Sequence, residues 1–191
     1  MKKSLRCVAA LLVSLIWATT ALAAEIPPTA ESGRKQRIER ALGADVPRVL
    51  CLDESFTTGA QPTGEAYVKA AANGFRAVLS LRTNSEGIDL VLERARVESN
   101  RMRYFNIPVN GAAPRAEQAD EFRRIARERT NHPMLVNCSS ANRVGAFMMI
   151  LRVVDQGWSE EKALEEAIKI GLASDVLKRF ATDYIAQHKS K

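Results

Sequence analysis

Histidine, cysteine and the aromatic residues are scarce in this sequence of 191 residues, which holds two histidines, three cysteines and only 6% Phe, Trp and Tyr. His132 and His188 are too few and too far apart to build a metal centre with the cysteines, so no metal or other cofactor is expected. Three cysteines cannot staple a disulfide miniprotein. No basic run interleaved with aromatics is present, which excludes a dedicated nucleic-acid role. Beyond the N-terminal segment no stretch approaches the ~20 apolar residues that a bilayer core requires. What remains, 46% hydrophobic and 26% charged, is the composition of one ordinary globular domain, long enough to bury a single core.

The N-terminus is the exception to this evenness. Lys2, Lys3 and Arg6 precede an apolar run from Val8 to Trp17 and then small residues, the three-part pattern of a cleavable export signal over residues 1–23. Ala21-Leu22-Ala23 fits the small-x-small rule, which starts the mature chain at Ala24 and makes it periplasmic or secreted, with no stable membrane anchor after cleavage. Cleavage takes the 28 basic residues to 25 against 22 acidic ones, so half of the net positive charge lies in the signal. It also removes Cys7.

Residues 24–45 read as a Pro- and Ala-rich tether (AEIPPTAES) and a short helix through Ile38, Ala41 and Leu42. Residues 46–191 form the domain proper. PRVLCLD and the FTTGAQP stretch break at Asp53-Glu54 and suggest a hairpin. After them helices and strands alternate. A helix opens at Pro62-Thr63 and closes at Gly74, and FRAVLSLR follows as a strand. A helix runs from about Glu86 to Ser99, then the strand MRYFNI, a helix over RAEQADEFRRIARERT, and the strand PMLVNC. A helix from Val144 to Val154 is apolar nearly all round and therefore buried. The next, Ser159 to Ile170, shows a stripe at Ala163, Leu164, Ala167 and Ile168 and lies at the surface. A final helix runs from about Ser174 to Gln187. The expected fold is α/β: a mostly parallel sheet of about five strands with helices on both faces.

Chemistry concentrates in Asn137-Cys138-Ser139-Ser140-Ala141-Asn142-Arg143-Val144-Gly145. A cysteine ends a buried strand, and an arginine opens a buried helix. The intervening turn gathers backbone N–H groups, a helix N-terminus and a guanidinium fork around one concave space, which is an anion site. The same field favours thiolate over thiol, which should make Cys138 an exposed nucleophile open to oxidation. Ligands of open α/β sheets bind at this strand end.

From about Val49 to Gly171 the chain resembles the cysteine-dependent tyrosine and dual-specificity phosphatases, most closely the bacterial beta-lactamase-hydrolase-like phosphatase domain. The similar pieces are Phe56-Thr57-Thr58-Gly59-Ala60-Gln61-Pro62, the strand Gly74-Phe75 to Leu81-Arg82, and Asn106-Ile107-Pro108-Val109. To these are added the Cys138 to Arg143 loop and Gly157-Trp158-Ser159 with Ala163-Leu164-Glu165-Glu166. The resemblance implies that Cys138 attacks phosphorus while Arg143 and the amides of Ser139, Ser140, Ala141, Asn142 and Arg143 hold the phosphate oxygens. Water then hydrolyses the phosphocysteine, without metal. The implied substrate is a phosphorylated protein or a small phosphomonoester.

The chain departs from that pattern in four places. Four residues separate Cys138 from Arg143 where the family usually has five. Asn137 stands for the usual histidine, and Val144 for the usual hydroxyl residue. The loop that normally carries the general-acid aspartate reads Asn110-Gly111-Ala112-Ala113, leaving Glu117 and Asp120 as the nearest downstream carboxylates. Losing a general acid costs about 10²- to 10⁴-fold. Two alternatives follow. A four-residue loop is also that of rhodanese-type sulfurtransferases, which carry a persulfide. A non-catalytic module could use the loop to bind phosphate or sulfate, with Arg123, Arg124 and Arg127 contributing. Cys51, placed just before the hairpin turn, should lie beyond the ~7 Å that a disulfide with Cys138 tolerates and should be a buried apolar residue.

Overall fold

A computed structural model describes residues 29–188, so the export signal and most of the tether lie outside the described residues. The five strands are β1 (Leu50–Cys51), β2 (Phe56–Gly59), β3 (Ala77–Ser80), β4 (Arg103–Asn106) and β5 (Met134–Asn137), in the order β1-β2-β5-β3-β4. Only the β1–β2 hairpin is antiparallel. The central strands β3 and β5 are buried on both faces, as their unbroken apolar runs require.

Successive side chains on a strand face opposite ways, and here they serve two cores. Val78, Tyr104 and Leu135 join Ile38, Leu42, Tyr67 and Val97 under α1 (Ala30–Leu42), α2 (Gly64–Ala72) and α3 (Leu90–Ser99). Ala77, Leu79, Met134 and Val136 face the larger core under α4 (Ala116–Arg127), α5 (Asn142–Val154), α6 (Glu160–Ile170) and α7 (Asp175–His188). α5 is the hub of that second layer and is buried from Arg143 to Val153. Gly145 permits this. A Cβ there would stand 2.7 Å from the Ala167 carbonyl oxygen and 2.9 Å from Leu172 Cβ, so any side chain would push α6 off the loop end of α5.

Three expectations need correction. α1 begins at Ala30, inside the expected tether, with Thr29 accepting a capping hydrogen bond from the Ser32 amide. The helix expected from Glu86 starts only at Leu90, where Asp89 caps it by accepting from the Leu92 amide. Asn84–Glu86 instead form a separate 3-10 turn ended by Gly87 at φ 70°. On α6, Ile170 takes the buried place expected for Ile168, which is exposed. Among the described residues no helix is long and apolar enough to cross a membrane, and no group of three or more His, Cys, Asp and Glu is placed to hold a metal ion.

Candidate active site

Parallel β5 delivers Cys138 to the carboxyl end of the sheet, and α5 begins four residues later, so the chain must reverse within Ser139, Ser140 and Ala141. Ala141 makes that reversal at φ 68°, ψ −1°, in the left-handed region, directly before the helix. A non-glycine residue is held there only where its surroundings fix it. Among the described residues, the backbone N–H groups of Ser139 to Arg143 have no protein acceptor. The first-turn amides of a helix have none by construction. The Asn142 side-chain oxygen accepts from the amides of Ala173 and Ser174 at 3.1 and 3.3 Å, tying the loop to the turn between α6 and α7.

Arg143 is 6% exposed, and its fork is organised by acceptors from three other segments. Nη1 donates to Glu86 Oε2 (2.9 Å), the Leu81 carbonyl (2.9 Å) and the Val109 carbonyl (2.8 Å). Nη2 donates to Glu86 Oε1 (2.6 Å) and to Ser139 Oγ (2.9 Å). Glu86 thus grips the end of the guanidinium with both oxygens and leaves the Nε side turned toward the Cys138 loop. Burial lowers the Arg143 pKa, but the hydrogen bond to Glu86 and the charges of Cys138 and Glu86 raise it overall. For Glu86 burial alone would act upward. The Arg143 and Thr83 hydrogen bonds, with the charges of Arg143 and Arg82, instead hold its carboxyl at about 2. Glu86 is an ionised positioning group at neutral pH and cannot serve there as an acid.

The loop opens into a cleft of about 550 Å³. Ser139, Ser140, Asn142 and Arg143 form its floor. Thr83, Ser85, Glu86, Val109, Asn110, Gly111, Ala112, Ser174, Val176 and Leu177 form the walls. Glu86 and Arg143 are the only titratable side chains in that lining. Cys138 and Ala141 lie beneath the loop rather than in the wall. Both are fully buried, which corrects the expectation of an exposed thiol: Cys138 continues the inward-facing row of Met134 and Val136 and packs into the α5 core.

The expected acid candidates are not in the cleft. Glu117 is 81% exposed beside Arg115. Asp120 is 57% exposed and accepts a hydrogen bond from the Tyr184 hydroxyl at the far side of α4. Arg123 and Arg127 both pair with Asp155, and Arg124 pairs with Glu121, so the arginine face of α4 is spent within the protein. Cys51 is a free, buried cysteine on the edge strand, and Cys138 is also free. The residue that sequence reasoning missed is Glu86. Asp89, a strong helix cap after Gly87, was the available sign that the helix starts later and that Glu86 sits in a turn.

Solved structures share this fold. A DUF442 protein from Shewanella putrefaciens CN-32 superposes with a TM-score of 0.68 at 18% identity over 80% of this chain and 99% of that one. TpbA from P. aeruginosa gives 0.58 at 21% identity, covering 74% and 84%. The core catalytic domain of the PP-IP phosphatase SIW14 from S. cerevisiae gives 0.63 at 14%, covering 73% and 86%. No curated protein matches the chain by sequence. The family model described as DSP-PTPase phosphatase fused to NAD+ kinase matches residues 44–181, from the turn before β1 into α7 and across every element that builds the cleft. By that match the chain belongs to the DSP-PTPase phosphatase family, within the cysteine-dependent tyrosine and dual-specificity phosphatases.

Proposed function

We propose that the protein is an exported phosphomonoester hydrolase that works through a phosphocysteine on Cys138 and lacks a dedicated general acid. The observation that carries this reading is the set of loop amides, Ser139 to Arg143, that have no protein acceptor among the described residues, beside an Arg143 oriented by Glu86. Phosphate oxygens entering the cleft would meet those amides, the α5 N-terminus and the Nε side of Arg143. The Cys138 sulfur attacks phosphorus as the P–O bond to the leaving group breaks, and that oxygen takes its proton from water. A second water then attacks phosphorus, the S–P bond breaks back to sulfur, and inorganic phosphate leaves.

The charge of the cleft bears on the substrate. Its one guanidinium is already balanced by Glu86, which suits a ligand with a single phosphate better than a polyphosphorylated one. TpbA has been crystallised with phosphotyrosine, and SIW14 acts as a PP-IP phosphatase. Of these two chemistries the paired arginine favours the phosphotyrosine type, whose phenol also leaves more readily than an alkoxide.

The test is a series of aryl and alkyl phosphates of graded leaving-group acidity. Without an acid, kcat falls steeply as the leaving group becomes more basic, and alkyl esters lose the roughly 10²- to 10⁴-fold that an acid would supply. A flat dependence would show a proton donor at work. Cyanide-dependent turnover of thiosulfate, with no aryl phosphate hydrolysed, would replace the phosphatase reading with sulfur transfer. Export is checked by cell fractionation and by an N-terminus at Ala24.

A further inference from the structure

Glu86 is held by more than Arg143. It ends a three-residue turn and its side chain is partly exposed, so on its own it could swing away from the guanidinium. Thr83 limits this, its amide donating to Glu86 Oε2 at 2.7 Å and its hydroxyl at 3.2 Å in a capping box, and Arg82 braces the Glu86 backbone from behind. Arg82 Nη2 donates to the Glu86 carbonyl at 2.9 Å, and its Nε lies 3.4 Å from Glu86 Oε2. Arg82 is itself 7% exposed, and a buried guanidinium needs acceptors. Nη1 finds one in Gln61 Oε1 at 2.9 Å.

A glutamine amide can present either its oxygen or its NH2 group to a neighbour. Here the choice is fixed from both sides, since the Arg82 guanidinium can only donate. Gln61 Nε2 donates to Glu93 Oε1 at 2.8 Å, and a carboxylate can only accept, so the amide oxygen must face Arg82. Glu93 is fixed in turn on the buried face of α3. The Tyr67 hydroxyl donates to the same oxygen at 2.8 Å and the Tyr104 hydroxyl to Oε2. Burial and the Glu93 carboxylate push both phenols upward, so they remain donors. The hydrogen bonds run from Glu93 through Gln61 and Arg82 to the Glu86 backbone, and the Glu86 carboxylate, 3.4 Å from an Arg82 Nε that itself makes no hydrogen bond, accepts from Arg143.

We infer that Gln61 and Glu93 are positioning residues for the phosphate site, acting through Arg82 and Glu86 to hold Arg143 with its Nε side toward the catalytic loop. This rests on the phosphatase reading of the cleft. It gives a physical task to two sequence features, the Gln61-Pro62 pair after β2 and the Leu81-Arg82 end of β3, that the reaction itself does not use.

The test compares Gln61→Met, Glu93→Gln and Tyr104→Phe in the full mature chain. Three quantities are read for each: kcat/KM on an aryl phosphate, calorimetric affinity for inorganic phosphate, and melting temperature. Gln61→Met removes the amide and is expected to lower kcat/KM and phosphate affinity together. The loss should be roughly 10- to 10²-fold, the scale for a functional group misplaced by about 1 Å. Glu93→Gln keeps the shape but replaces the charged acceptor that anchors the Gln61 NH2 group with a neutral amide, leaving Arg82 alone to orient Gln61, so its loss falls between wild type and Gln61→Met. Tyr104→Phe touches only the oxygen of Glu93 that Gln61 does not use. It destabilises the fold while kcat/KM and phosphate affinity stay at wild type.

Wild-type values in Gln61→Met, or an equal loss in Tyr104→Phe at matched melting temperature, would make the network a purely structural one and overturn the inference. If wild type binds phosphate but hydrolyses no aryl phosphate, the phosphatase reading fails and the phosphate affinities alone decide the positioning role. If wild type does neither, both ideas fall.

Discussion

Arg143 and Arg152 stand near opposite ends of the same buried helix, and each is clasped by both oxygens of a glutamate. Arg152 donates from Nε and Nη2 to Glu166 at 2.6 and 3.1 Å, and from Nη1 to Gln156 at 2.7 Å. Nη1 also lies 2.8 Å from Asp53. The Trp158 and Phe56 rings lie 4.6 and 5.9 Å from its guanidinium carbon. Every nitrogen has an acceptor, two rings lie near the guanidinium, and the side chain is 2% exposed. Arg143 is clasped end-on through Nη1 and Nη2 instead, which leaves its Nε edge beside the Ser139 hydroxyl and Cys138 at an open cleft. The lesson is that a buried bidentate pair is not by itself a functional mark. What separates the two arginines is whether the surrounding protein finishes the hydrogen-bonding or leaves one edge for a ligand.

The most direct way to break this comparison is to delete each guanidinium in turn. Arg143→Ala is expected to lower kcat/KM on aryl phosphates by about 10³- to 10⁵-fold, the scale for a guanidinium that stabilises a transferring phosphoryl group. Arg152→Met should cost about 3–5 kcal/mol of stability, because Glu166 and Asp53 are left without their shared cation. Its kcat/KM, measured well below its melting temperature, should match wild type. Denaturant titration beside steady-state kinetics separates the two outcomes, and an active Arg143→Ala or an inactive, fully folded Arg152→Met would erase the distinction.

A smaller effect concerns the partner of the open arginine. The Glu86 carboxyl is depressed from an ordinary 4.5 to about 2, so its ionised form is the one the fold favours. Its contribution to stability is complete above about pH 4.5 and is lost as pH falls toward 2. Glu86→Gln should therefore be less stable than wild type at neutral pH, with the difference closing over that acid window. Melting temperatures recorded from pH 7 down to 2 test the sign, and a gap that widened on acidification would contradict it.

The smallest change sharpens the boundary of the cleft. Glu117→Gln and Asp120→Asn lie outside its lining, so their pH–rate profiles should overlay wild type. Their stabilities should stay within about 1 kcal/mol, as is usual for exposed charges. A lost basic limb in either would return that carboxylate to the mechanism.

Much of this arrangement could be read from local pattern, and the remainder could not, for a definable reason. The strand, turn and apolar helix around Cys138 and Arg143 are contiguous, so periodicity and one pair of residue types sufficed to place them at the strand–helix turn that borders the cleft. Glu86 pairs with Arg143 across 57 positions of sequence, and nothing in its own neighbourhood except Gly87 and Asp89 marks it as outside a helix. Glu117 and Asp120 failed in the opposite direction. They are near the loop in sequence, but the turn of α4 carries them to the surface. The burial of Cys138 depended on which face of the sheet β5 turns toward α5, and sequence alternation reveals two faces without saying which one a nucleophile will share.

The hairpin edge of the sheet has a consequence for anyone choosing where to trim the chain. β1 is two residues long, and the unpaired side of such a strand is an invitation to another strand. Here α1 answers it: Glu39 accepts the Cys51 amide at 2.9 Å, and Arg34 caps the carbonyls of Asp53 and Glu54 at 3.0 and 3.4 Å. A polypeptide started at residue 44, where the family match begins, would keep every residue that lines the cleft and lose its edge guard. It would be prone to zip onto its own copies through β1, in the manner of an unfinished weave.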